Sequence, residues 1–247
     1  MKLTEFETRF GMAGRVLSIR RVKGMEPTRG AEVFPARCSL SAILYALKGH
    51  EVCLTDKNSP CKGGLVGLGL VDGLPPIPGG FGHFISCGRG EGFRPGERLK
   101  ADPESGERMI LSQPQKVAEG FDGILLRPYA DGDTPDTVAL FCDPDQLSAM
   151  VYLFNFSKDG SRYDTVIAPA VSGCASLFRI PFGELRQPEP RGVIGLTDIN
   201  ARVHFPASWA SLTVSAGDFA RMLRDADESF VSTPLWEQIA ARHDGEW

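Results

Sequence analysis

The residues best suited to chemistry in this chain are its cysteines, and Cys61 has the least common surroundings. In the run 60–64 a proline precedes the thiol, and two glycines, Gly63 and Gly64, follow within three residues. Glycine has no Cβ, so the backbone beside the sulfur can take a positive φ or let a bulky group come close. The run predicts a site that presents the Cys61 sulfur to a ligand, with the N–H groups of both glycines directed at that ligand.

Two further cysteines share the context of Cys61. Cys38, Cys61 and Cys174 each precede or begin a predicted helix. The free N–H groups and the dipole at a helix start favour an anion, here the thiolate that binds metal or attacks an electrophile. These three residues are therefore the predicted metal ligands of the chain.

The other three cysteines have different surroundings. Cys53 and Cys142 lie in strand-like apolar runs, where a buried cysteine behaves as a small hydrophobe. Cys87 lies in a loop rich in glycine and proline. No Cys-x-x-Cys pair occurs, which argues against a zinc ribbon or a thioredoxin-type motif.

The elements that must position these thiols form an α+β fold, predicted as a mixed sheet with helices packed on it. Helices are predicted over 37–48 and after Cys61. An Asp-Pro-x-Gln run predicts a further helix start at Asp143, and Ser215 caps the last predicted helix. Strands are predicted over 51–55, 137–142, 193–196 and 202–205.

The chain is predicted to form a single domain over 1–247, with possible halves 1–125 and 126–247. Cys38 leads through a strand to the Gly-Leu pair at 67–68, and Cys174 leads to the pair at 195–196. Two explanations of this similarity between the halves stay open: a duplication and chance. The long Gly/Pro-rich loop 72–98 is either a lid over the site or a surface loop without a role.

Polar residues outside the cysteines offer a second binding group. Arg202 is predicted to bind a cofactor or anionic ligand together with Asp198, because both lie between predicted strands; surface pairing is the alternative use of each. His83 is a candidate fourth ligand if its loop folds over the site, and a solvated histidine is the alternative.

Composition limits the classes of partner. The formal net charge is −4 and no long basic run occurs, which disfavours a nucleic-acid binder. No apolar stretch approaches the roughly 20 residues that cross a bilayer, and the acidic N-terminus is unlike a signal peptide. We expect a cytoplasmic protein with a small-molecule ligand and neither nucleic acid nor membrane as partner; a homo-oligomer stays open.

Several motifs together resemble domain-of-unknown-function family 169, a prokaryotic family of about this length that is common in anaerobes and archaea. The resemblance runs from about Arg37 to the last predicted helix, and Cys38, Cys61 and Cys174 match the cysteine positions of the family. The motifs that carry it are Arg37–Leu40, Pro60–Gly64, Gly67–Leu70, Phe141–Gln146, Cys174 and His204–Pro206.

Three dispersed thiolates suit a four-iron four-sulfur (4Fe-4S) cluster with one iron left open to a small molecule. The leading hypothesis is therefore an iron–sulfur protein whose cluster, held by Cys38, Cys61 and Cys174, binds or transforms a small molecule. Two alternatives stay open: a redox-sensing or ligand-binding module that uses free thiols without metal, and cysteines that are only buried or incidental. No reaction or substrate follows from these residues.

Overall fold

The structure is a computed structural model, and it describes residues 1–34, 37–71, 73, 76–86, 97–113, 120–160 and 162–243 of the 247. Its centre is a seven-stranded sheet with the order β2-β3-β1-β4-β7-β6-β5. Every neighbouring pair is antiparallel except β5 and β6, which are parallel. The strands are β1 Val16–Val22, β2 Val52–Thr55, β3 Gly123–Pro128, β4 Thr137–Cys142, β5 Val166–Ile167, β6 Gly192–Gly195 and β7 Ala210–Ser215.

Helices pack on this mixed sheet, which confirms the predicted α+β class. None of the helices in the described ranges is long and apolar enough to cross a membrane. The α-helices are α1 Leu3–Phe10, α2 Ser41–Leu47, α3 Lys62–Leu68, α4 Phe81–Ser86, α5 Pro103–Leu111, α6 Pro144–Asn155, α7 Ile180–Glu184, α8 Ile199–Arg202, α9 Ala216–Asp225 and α10 Pro234–Ala240. A π-helical segment, Ala175–Arg179, leads directly into α7.

Strand alternation divides the core between the two faces of the sheet. We call the face that carries Leu17, Ile19 and Phe141 the first face, and it packs against α2, α3, the π-helical segment and α7. The second face carries Val138 and Leu140 and packs against α1, α6, α9 and α10. The three predicted metal ligands all belong to the elements on the first face.

The second face is covered unevenly. A shallow groove lies over β1 and β3, and its lining includes Ser18, Arg20 and Arg127. Ser18 and Arg20 alternate with Leu17 and Ile19, so they point away from the first face. This groove therefore lies on the opposite side of the sheet from the cysteine-bearing helices.

The chain follows similar but not identical routes in the two halves of the sheet. In the first half it makes the inner strand β1, then the outer strand β2, and returns to the middle as β3. In the second half it makes the inner strand β4, then the edge strand β5 and its neighbour β6, and returns between β4 and β6 as β7. The two inner strands pair antiparallel at the centre, and β5 has no counterpart in the first half. A common origin of the halves stays a prediction.

Several predicted elements are confirmed and others are corrected. Strand 137–142 and the capping box of Asp143 and Gln146 are present, and Ser215 caps α9. The strand predicted over 202–205 is wrong: the chain there ends α8 and turns, because Arg202 binds the carbonyls that follow it. Helix α10 follows the helix predicted to be last. The predicted loop 72–98 contains α4, and its residues 72, 74–75 and 87–96 lie outside the described ranges.

Candidate cysteine site

Cys61 begins α3 as its N-cap, which confirms its prediction at a helix start. Its backbone is extended, with φ −115° and ψ 117°, and its sulfur accepts the backbone N–H of Gly64 at 3.3 Å. An N-cap side chain normally satisfies a free N–H of the first turn. The thiol therefore takes the place of the usual serine or aspartate. The Gly64 N–H donates to the Cys61 sulfur itself, and the direction of the glycine N–H groups toward a ligand stays a prediction.

The two glycines after Cys61 have different environments. Neither takes a positive φ, so that part of the prediction is wrong; both lie in the right-handed helix α3. A Cβ on Gly64 would stand 2.6 Å from the Ser39 hydroxyl, which hydrogen-bonds Ser59 at 2.6 Å. A Cβ on Gly63 would meet only the Cys61 sulfur, at an ordinary 3.9 Å. Gly64 is thus required for close packing beside Cys38, whereas Gly63 is not.

Cys174 lies in the first turn of the helix that continues as the π-helical segment, and it is 6 % exposed. Its Cβ would be only 2.6 Å from a Cβ on Gly67 of α3. Arg179, in the same segment, donates to the carbonyl of Val66 at 2.9 Å. Since α3 carries Cys61 at its start, these contacts bring Cys174 beside the Cys61 helix.

Cys38 precedes α2 and is half-buried. Burial raises the pKa of the Cys38 thiol, hydrogen bonds from the N–H groups of Leu40 and Ser41 lower it, and the charges of Cys61 and Asp198 raise it. The helix start therefore acts in the predicted direction. Burial outweighs it, so the metal-free side chain is a thiol at neutral pH.

The three thiols share one neighbourhood. Burial raises the pKa of Cys174 well above its ordinary value, and the charges of Cys38, Cys61 and Asp198 raise it further. Charges act on one another in this way only when they lie close together in a poorly solvated environment. The structure thus gathers cysteines that are far apart in the sequence.

The arrangement can be tested against the metal centre that these residues suggest. Among the described residues, no three His, Cys, Asp or Glu side chains are placed to hold a single metal ion. A site for a single metal ion requires side chains that stand very close together, because all ligands of one ion lie about 2.3 Å from the same point. In a four-iron cluster each thiolate binds a different iron, so the sulfurs stand further apart. Thiolates are the donors that a cluster requires, but no metal-binding group is seen among the described residues, and ligation of a cluster by the three cysteines stays a prediction.

Asp198, a polar candidate near Cys174 in the sequence, lies close to the thiols, and Glu97 lies beside Asp198. Asp198 is the N-cap of α8, and its oxygens accept N–H groups from Asn200 at 3.0 Å and Gly173 at 2.9 Å. Burial and the charge of Asp198 raise the pKa of Glu97, and a hydrogen bond from the Asn200 side chain lowers it. Glu97 therefore lies beside Asp198, at the edge of the cysteine site.

Arg202 does not join Asp198 around a ligand in this structure. Its guanidinium donates to the carbonyls of Pro206 at 3.2 Å and Ala207 at 2.6 Å, and also to that of Trp209. These bonds close the turn after α8. A role for Arg202 in binding a cofactor stays a prediction, and its observed contacts are structural.

The other cysteines and His83, the candidate fourth ligand, lie on elements other than the three helix starts of the site. Cys87 is excepted because it is outside the described residues. Cys53 and Cys142 lie in β2 and β4 and are buried, as predicted. His83 lies in α4. This helix packs closely against α5, because a Cβ on Gly82 would stand 2.3 Å from the carbonyl oxygen of Pro103.

Comparison with known proteins gives one match. No curated protein and no solved structure is similar to the chain. A family model named DUF169 and described as "Uncharacterised ArCR" matches residues 10–225. That span includes Cys38, Cys61, Cys174 and Asp198 and leaves out only the two ends of the chain. The chain therefore belongs to the DUF169 family.

Proposed function

We propose that this protein is a cytoplasmic iron–sulfur protein whose 4Fe-4S cluster, held by Cys38, Cys61 and Cys174, binds or transforms a small molecule. One observation supports the proposal most directly: Cys38, Cys61 and Cys174 come from distant parts of the chain and stand at helix starts, and the charge of Cys61 raises the pKa of both other thiols. Thiolate ligands are those that iron–sulfur clusters require. A cytoplasmic location agrees with thiols that stay reduced.

The residues of the chain have defined tasks in this proposal. Cys174 anchors the site from the buried side, while Cys38 and Cys61 stand nearer the solvent. The N–H groups of Leu40, Ser41 and Gly64 point at sulfur, and such donors stabilise the negative charge of a thiolate. When bound, the cluster would supply an iron that accepts an oxygen or nitrogen donor of the small molecule.

Anaerobic purification tests this function. We expect a brown protein with broad absorbance near about 400 nm, and iron and sulfide in equal amounts. Cys38→Ser, Cys61→Ser and Cys174→Ala should each lower the iron content. Cys53→Ser and Cys142→Ala are matched controls, because both change a cysteine that lies in a strand. Iron that is absent from the wild-type protein, or lost equally in the controls, would contradict the proposal.

A second candidate is a metal-free redox sensor, and the half-buried positions of Cys38 and Cys61 favour it. Hydrogen peroxide would oxidise the two thiols to one disulfide: two S–H bonds and the O–O bond break, one S–S bond and two O–H bonds form, and two waters leave. This candidate predicts a mass loss of two hydrogen atoms after peroxide treatment of the iron-free protein. Peptide mapping would locate the disulfide, and an unchanged mass would exclude it.

A further inference from the structure

Three hydroxyl groups in the core of the sheet have no hydrogen-bond partner among the described residues. They are the side-chain hydroxyls of Thr137, Ser211 and Thr213, and each of these residues is at most 1 % exposed. Burying a hydroxyl without a hydrogen bond is unfavourable, so most such groups in proteins bond another residue or an ordered water molecule. The protein groups described around these hydroxyls do not supply that bond.

The register of the strands places the three hydroxyls together on the first face. Thr213 pairs with Ala139, and Ser211 pairs with Phe141, which both belong to that face. Thr137 lies two residues before Ala139 and therefore points the same way. Thr137 and Thr213 are diagonal neighbours across β4 and β7, with side chains about 7 Å apart. Ser211 follows Thr213 along β7 at about the same spacing.

These separations suit a bridging water molecule. They are too long for a direct hydrogen bond, whereas two hydrogen bonds of ordinary length through one water span about 5–6 Å between the outer oxygens. The neighbours in the sheet are small, since Ala139 stands opposite Thr213 and Gly195 of β6 stands opposite Ser211. Small side chains here favour a bound water, which needs both space and two to four polar partners.

The row of hydroxyls continues from the sheet to the π-helical segment. The hydroxyl oxygens of Ser211 and Ser176 lie 2.7 Å and 3.0 Å from the position that a Cβ on Gly195 would take, so they are close neighbours. Ser176 donates its own hydrogen to the carbonyl of Gly173 at 3.0 Å, and its lone pairs remain able to accept from water. Gly173 immediately precedes Cys174. The hydroxyl row therefore ends at the turn that carries Cys174.

We propose that Thr137, Thr213 and Ser211 form a buried hydration site, in which ordered water bridges the hydroxyls and, through Ser176, joins the sheet to the turn of Cys174. Water fits this site better than an ion, because hydroxyls offer both donors and acceptors and carry no charge to balance an ion. The site requires no metal. It therefore goes beyond the proposed function and is independent of it.

Thr213→Val tests this site, because the two side chains have nearly the same shape and differ in one polar group. If the hydroxyl bonds water, the variant loses a hydrogen bond, and the melting temperature of the metal-free protein should fall by about 2–4 °C. In a dry core the same change removes an unpaired buried hydroxyl, so the melting temperature would stay the same or rise. Thr165→Val is the reference for a lost hydrogen bond, since the buried Thr165 hydroxyl bonds Asn155.

A crystal structure of the wild-type protein gives a second readout, should Thr213→Val fold poorly. We expect electron density for an ordered water within about 3.5 Å of at least two of the three hydroxyls. Absence of that density would overturn the inference. A melting temperature of Thr213→Val equal to or above that of the wild type would also overturn it. Neither result depends on whether the cysteines bind iron.

Discussion

At the scale of single residues, the two glycines after Cys61 differ in how much space surrounds them. Gly64 lies where any side chain would collide with Ser39, while Gly63 has room for one. Both lie in α3, where glycine is a poor helix former compared with alanine. The contact with Ser39 explains why Gly64 cannot be replaced by a larger residue without a local shift.

Replacing these glycines should therefore change stability in opposite directions. Gly64→Ala should lower the free energy of unfolding by about 1–3 kcal/mol, since the new Cβ must displace Ser39. Gly63→Ala should raise it by about 0.5–1 kcal/mol through better helix propensity. Urea denaturation of the iron-free protein measures both. Ser39→Gly should restore part of the loss in Gly64→Ala, and equal effects of the two alanine variants would contradict the packing argument.

Cys142 provides a pH prediction that is independent of any metal. Burial, followed by the charge of Asp143, raises the pKa of this thiol above its ordinary value of 9.0. Below pH 9 the thiol is protonated in both the folded and the unfolded state, so it adds no pH dependence. As pH rises above that value the unfolded state loses its proton first, and stability falls by at most about 1.4 kcal/mol per pH unit.

Cys142→Ala should accordingly reduce the loss of stability between about pH 8 and about pH 10, although it lowers stability at neutral pH. Denaturant unfolding of the wild type and the variant at several pH values measures the difference between their slopes. The comparison cancels the contributions of Cys38, Cys53 and Cys174, whose pKa values are also raised. Identical slopes would show that burial of this thiol does not control its titration.

At the scale of elements, α3 and the π-helical segment form the contact that joins the two sides of the site. Arg179 is almost fully buried and reaches from the segment to the carbonyl of Val66. Pro181 follows two residues later and has no N–H, so regular α-helical bonding is interrupted there. Short π-helical segments occur often at functional sites. Here the segment places Arg179 against the helix that Cys61 begins.

Arg179→Met should lower the free energy of unfolding by about 1.5–3 kcal/mol, because a buried hydrogen bond from a charged donor is lost. We also expect faster loss of iron from any bound cluster, since α3 would be held less firmly. The exposed Arg186→Met is the control, with an effect within about 0.5 kcal/mol. Chemical denaturation measures the loss of stability, and the rate of iron release to a chelator measures the effect on the site. An unchanged rate of iron release would show that Arg179 does not influence the cysteine site.

Some elements could be predicted from the sequence, and others could not. Strand β4 and the start of α6 were predictable because an unbroken apolar run is followed by a capping box. Strand β1 was missed although Leu17, Ser18, Ile19 and Arg20 alternate between apolar and polar as a half-buried strand does; its partners β3 and β4 lie far away along the chain. Asp198 was named as a polar candidate, but its place beside the cysteines depends on tertiary contacts. Its position as a capping residue soon after the strand β6 was the signal that could have identified it as the start of a helix.

At the scale of the whole molecule, one sheet unites two cores. The first face and the second face share the inner strands β1 and β4, whose residues alternate between them. Trp209 packs against the core of the first face, and Trp236 lies in that of the second. Loss of the central pairing would remove the support of both cores at once.

We therefore expect the metal-free protein to unfold in a single transition. Trp236→Phe leaves Trp209 as the reporter of the first face, and Trp209→Phe leaves Trp236 as that of the second, with Trp247 replaced by phenylalanine in both. In each variant the fluorescence midpoint should equal the midpoint from circular dichroism. Separate midpoints would show that the two cores unfold independently.

The inner-outer-middle route also determines when the sheet can assemble during translation. β1 ends at Val22, and its partner β3 begins at Gly123, about 100 residues later. At roughly 5–20 residues per second, the ribosome needs roughly 5–20 s to supply that partner. Cys38 and Cys61 emerge well within this interval, before the strands that support them are paired. Cys174 emerges later still, so a nascent chain cannot bring its three site cysteines together until after β3 and β4 have been synthesised.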